Sequence, residues 1–74
     1  MAGTDTKEAV GTTEAAMSAD PRVGLRAVAA LRRLVERLEA LQVGNARRQG
    51  WSWEDIGAAL GVSRQAVHKK HARR

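Results

Sequence analysis

Arg64, Gln65, His68 and Lys69 lie in the stretch SRQAVHKK, residues 63–70. At about 100° per residue of an α-helix they share one arc with Ala72, while Ala66, Val67 and Lys70 fall on the other. Arginine carries a planar fork of donors, and glutamine pairs a donor with an acceptor, so both can bond twice to one planar partner. Other chemistry is harder to assemble. His68 and His71 stand three apart on a helix and could share a metal ion, but with no cysteine and no nearby acid the ligand set is incomplete. Trp51 and Trp53 could stack on unpaired bases, yet their places beside a helix start and on an inner face favour core packing. No nucleophile–base–acid set, phosphate-binding glycine loop or catalytic carboxylate pair is present, so no enzyme, metal or cofactor is expected.

The elements that must carry these residues can be read from caps and spacing. Asp20 is an N-cap and Pro21 takes the first helical position, where a missing N–H costs nothing. A long helix is predicted from there to Gln49, ending at Gly50, with Gly44-Asn45 as a weak point that could bend or split it. Ala27, Leu31, Leu34, Leu38 and Leu41 recur at spacings of four and three, and Val28 and Val35 widen the stripe. So broad a face suits packing on other helices, in the same chain or in a second copy, better than a two-stranded zipper. Ser52 with Asp55 then makes a capping box, and Trp51 and Ile56 hold the staple positions of a second helix, Trp53 to Leu60. That helix is expected to bury Trp53, Ile56 and Leu60, with Gly57 admitting another helix closely. Gly61 forms a turn, and Ser63 caps a third helix running to Arg73.

Charge is unevenly distributed. One lysine against four carboxylates leaves residues 1–20 at −3, so of the net +5 the remainder carries +8. Residues 61–74 hold Arg64, Lys69, Lys70, Arg73 and Arg74 and no acid. Such a cluster attracts polyanions by releasing their condensed counterions, although a merely solvated basic tail has the same composition. Nothing resembles a membrane span or a signal peptide, and a cytoplasmic, nucleoid-associated location is expected.

The stretch WEDIGAALGVSRQAVHKKHA, residues 53–72, resembles a DNA-binding helix-turn-helix. It is similar to the motif in the DNA-binding region of bacterial sigma factors and in small actinobacterial regulators. Ile56, Gly57, Leu60, Gly61, Val62 and Val67 carry the resemblance. Lys70 departs from it: the motif usually has an apolar residue there, so Lys70 must either snorkel or lie where the helix frays. The resemblance implies that the helix of residues 63–73 enters the major groove of double-stranded DNA. Arg64 and Gln65 would then contact bases, and His68 and Lys69 would read a base or hold phosphate. Ser52, Ser63, Arg47, Arg48, Lys70, Arg73 and Arg74 are the candidates for phosphate contacts.

The expectation is thus an all-α protein of three helices, the long helix packed on a C-terminal helix-turn-helix. Residues 1–19 read as a disordered arm, 20–50 as the packing and dimerisation helix, and 51–74 as the DNA-binding unit. The core is small enough that a homodimer through Ala27, Leu31, Leu34, Val35, Leu38 and Leu41 is expected, which would set two reading helices about 34 Å apart. The competing classes are a protein-interaction module that docks its leucine-rich helix on a larger partner such as transcription machinery, and an architectural nucleoid protein.

Overall fold

The computed structural model describes residues 10–72, so Arg73 and Arg74 lie outside the described residues. The described chain is helical, with no strand among its residues: α1 (residues 10–16), α2 (Pro21–Arg48), α3 (Trp53–Leu60) and α4 (Arg64–His71). There are therefore four helices rather than the three expected. The additional one, α1, falls in the stretch expected to be a disordered arm, where no sustained apolar period marks it. No helix of the described residues is long and apolar enough to cross a membrane.

Two compact units divide within α2, Met1–Arg37 and Leu38–Arg74. In the first, α1 ends in a turn in which Met17 and Ser18 donate their backbone N–H to the carbonyls of Glu14 and Ala15, both at 3.1 Å. Ser18 Oγ accepts from the Asp20 N–H at 3.1 Å, and Asp20 Oδ1 accepts from the Arg22 N–H at 2.9 Å. Asp20 is thus the cap that starts α2, with Pro21 behind it as expected. Ala27 is buried, and Ala27, Val23, Arg26 and Ala30 of α2 line an open hollow with Gly11, Thr12 and Ala15 of α1.

In the second unit α2 runs through Gly44 without a break, to Arg48. Its end and the end of α3 are closed by the same device. Gly50 (φ 88°) donates to the Arg47 carbonyl at 3.1 Å and Trp51 to that of Ala46 at 3.0 Å; Gly61 (φ 76°) donates to Ala58 at 3.3 Å and Val62 to Gly57 at 2.9 Å. In both, a glycine takes the left-handed conformation that lets the chain fold back on the last carbonyls of the helix. The next helix starts at once. Ser52 Oγ accepts from the Asp55 N–H at 3.0 Å, and Asp55 Oδ2 accepts in return from the Ser52 N–H at 3.4 Å. Ser63 Oγ accepts from the Ala66 N–H at 3.0 Å to start α4.

The core of this unit is one residue from each helix: Val43, Ile56 and Val67, with Ala46 and Trp53 half-buried against them. Two expected core members lie elsewhere. Leu60 and Trp51 are exposed, and both line a hollow of about 250 Å³ whose other wall includes Gln42 and Asn45 of α2 and Gln49 just past its end. Ile56 also lines it, so the two staple partners face a common space without closing it. Gly57 does admit close approach, but of backbone rather than a helix face. A Cβ there would stand 2.8 Å from the Val62 carbonyl oxygen and 3.2 Å from the Arg64 nitrogen.

Candidate nucleic-acid interface

The orientation of α4 is set by two residues one turn apart. Val67 is 2% exposed and His71 is 7% exposed, while every other described residue of the helix is exposed. Of the arc opposite the polar one, Ala66, Val67 and Lys70, only Val67 is buried: the seat is Val67 and His71, and Ala66 and Lys70 are on the surface. The outward midline of α4 consequently falls near Gln65 and Lys69 rather than between Arg64 and Lys69.

His71 is tolerated inside because it has a partner. Glu39 of α2 accepts a hydrogen bond at 2.7 Å from His71 Nε2, whose side chain is 4% exposed. An ionised carboxylate only accepts, so the ring nitrogen facing it carries the proton. The same oxygen, Glu39 Oε2, lies 3.1 Å from Lys70 Nζ, on a side chain that is 46% exposed. Lys70 is therefore neither buried nor at a frayed end. It snorkels outward and is tied to Glu39. The hydrogen bond from His71, then that from Lys70, holds the Glu39 carboxyl below its ordinary value of 4.5, against a smaller upward push from burial. A carboxyl lowered by folding contributes stability above its unfolded value, and that contribution is lost as pH falls through the folded one. The second unit is accordingly expected to lose thermal stability as pH falls below about 4.5, and Glu39→Gln to flatten that dependence in melts followed at several pH values. A variant whose melting point tracks the wild-type pH profile would rule this out.

The remaining candidates are placed unevenly. Arg64, Gln65 and Lys69 are exposed, and their side chains make no hydrogen bond or ion pair among the described residues. His68 is also exposed, but its ring stands edge-on to Trp53 with centroids 5.3 Å apart and planes at 86°. The Arg47 guanidinium lies 4.5 Å from the centroid of the Trp53 ring and donates to the Trp51 carbonyl at 2.8 Å. Trp53 thus has a cation over its ring and His68 at its side, and does not present a bare stacking platform. Arg48 is bonded to Asn45 Oδ1, one turn back on α2. The Ser52 and Ser63 hydroxyls are engaged as caps, which leaves neighbouring N–H groups of the helix starts rather than the hydroxyls to meet an anion. Among the described residues no group of three or more His, Asp or Glu side chains is placed to hold a metal ion.

Along α2, Leu31 and Leu34 are half-buried and Val35 is exposed in the first unit; in the second, Leu38 and Leu41 are exposed. The residues that sequence reasoning missed are Glu39 and His71. They are 32 positions apart, and the one local hint is that His71 lies a single turn beyond Val67. Compared with known proteins, the chain matches no family model, no curated protein and no solved structure.

Proposed function

We propose that the chain is a sequence-specific double-stranded-DNA-binding protein of the helix-turn-helix type, acting as a transcriptional regulator and as a homodimer. The observation that carries this reading is the division of α4. Val67 and His71 seat it, Gln65 and Lys69 project on the opposite side, and Arg64 is exposed at its first turn, in a helix that contains no acid. A helix in the major groove needs such a division, because its inner side must be fixed before its outer donors can discriminate among base edges. Arg64 and Gln65 are the base readers in this proposal. Lys69 and Lys70 serve phosphate, and His68, leaning on Trp53, helps fix the helix rather than read.

Binding to duplex DNA is expected to weaken with salt, with a log–log slope of about −0.9 per phosphate contacted. Replacing Arg64 and Gln65 together by alanine is expected to remove discrimination among sequences, at about 1–3 kcal/mol for each bidentate base pairing removed, while helix content stays the same. Selection of bound sequences from a random duplex pool, repeated with the double variant, measures this. A preferred sequence that survives the double substitution would defeat the assignment of the base readers.

A second reading has its own support. Leu38 and Leu41 of α2 are exposed, as are Trp51 and Leu60 around the hollow of the second unit. Apolar surface of this kind suits a protein partner, which in the homodimer is a second copy. Light scattering on the wild type and on a Leu34→Glu, Leu38→Glu variant separates the cases. A wild type that is monomeric at micromolar concentration removes the dimer and leaves docking on a different protein.

A further inference from the structure

The Glu39 carboxylate serves two neighbours on α4 that differ in access to solvent. His71 is sealed, its side chain 4% exposed, with Nε2 at 2.7 Å from Glu39 Oε2. Lys70 is open, its side chain 46% exposed, with Nζ at 3.1 Å from the same oxygen. An ion pair at such exposure competes with water and is readily exchanged, whereas a buried hydrogen bond to a carboxylate is not. A phosphate diester oxygen is an acceptor of the same charge type as the carboxylate. Lys70 also sits to one side of the outward midline of α4, where a sugar-phosphate wall would stand if the helix occupied a groove.

We propose that Lys70 is an exchangeable ligand for backbone phosphate: it rests on Glu39 in the free protein and transfers to a phosphate of the nucleic acid, while His71 keeps Glu39 and so keeps α4 seated. The exchange rests on the DNA-binding reading above. It gives Glu39 two roles, a positioning residue for α4 through His71 and a competitor of phosphate for Lys70. The lysine can leave without loosening the helix because the sealed half of the pair stays made.

The test is a double-mutant cycle of wild type, Glu39→Gln, Lys70→Gln and the double variant. Each is titrated with a fluorescent duplex of arbitrary sequence over a series of salt concentrations. Glu39→Gln retains an oxygen acceptor for His71, and is expected to tighten binding about two- to fivefold, the range of an exposed ion pair. Lys70→Gln is expected to weaken binding and to reduce the magnitude of the salt slope by about 0.9, one phosphate contact. In the Lys70→Gln background the tightening from Glu39→Gln is expected to vanish. Tightening that survives without Lys70 would show that Glu39 acts only as a diffuse negative charge, and an unchanged salt slope in Lys70→Gln would show that Lys70 meets no phosphate. Either result overturns the exchange while duplex binding itself persists. A wild type with no salt-sensitive duplex binding would instead remove the DNA reading and the exchange with it. Helix content by circular dichroism accompanies each variant; if Glu39→Gln unfolds, the slope of Lys70→Gln, changed at an exposed position, decides the proposal.

Discussion

Ile56→Ala is expected to unfold most of the Leu38–Arg74 unit at room temperature. Ile56 is 4% exposed and is the central helix's contribution to a cluster completed by Val43 and Val67. Truncating a buried isoleucine to alanine costs about 2–5 kcal/mol, since the transfer of the deleted carbons is compounded by the cavity they leave. A core this small supplies no more than about 3–5 kcal/mol, so the loss is comparable to the whole. The measurement is a thermal melt by far-ultraviolet circular dichroism, with Leu60→Ala alongside. Leu60 belongs to the same helix but is 40% exposed, so its truncation is expected to cost under about 1 kcal/mol. Equal losses from the two substitutions would mean that the cluster is not where the stability of this unit resides.

Gly57→Ala is expected to destabilise the same unit by about 1–3 kcal/mol, although alanine is the better helix former by about 1 kcal/mol. A Cβ at this position would meet backbone on the far side of the turn, the Val62 carbonyl oxygen at 2.8 Å and the Arg64 nitrogen at 3.2 Å. Backbone cannot rotate aside as a side chain can, so the turn and the start of α4 must shift together. Gly44→Ala makes the contrast. Its Cβ would meet the Arg48 guanidinium at 3.4 Å, the far end of a flexible side chain, and the helix passes through Gly44 unbroken. That substitution is expected to stabilise by about 0.5–1 kcal/mol. Denaturant midpoints of the two variants should therefore move in opposite directions. A rise in both would show that the turn yields more easily than its geometry implies.

The two substitutions also separate what is legible in the sequence from what is not. The spacing of Ile56, Gly57 and Gly61 points to a close turn between α3 and α4, and the structure has it. From spacing alone the partner of Gly57 is expected to be a helix face; it is instead the backbone of the turn and of the first residue of α4. For Trp51 and Leu60 the local pattern is right about helix position and wrong about depth. Both are apolar residues at helix ends, and among its described residues the unit has only three buried apolar side chains to gather around. The extra helix α1 escapes sequence reasoning because its residues, VGTTEAA at 10–16, open on four weak helix formers and carry no apolar stripe.

By itself the sequence determined where α2, α3 and α4 start and where α2 and α3 stop: Asp20 and Pro21, the box of Ser52 and Asp55, the cap Ser63, and the glycines at 50 and 61. These are contacts between residues two to five apart, and their free energy depends little on the rest of the chain. Only the tertiary structure decided which side of α4 faces inward. Its apolar residues are Ala66 and Val67 alone, too few to define an arc, and a histidine reads as a surface residue until its partner is known. That partner, Glu39, lies 32 positions away on α2. A buried polar side chain is stable only where its hydrogen bond is supplied, and the acceptor is brought into place by the packing of Val43, Ile56 and Val67 rather than by anything beside His71 in the chain.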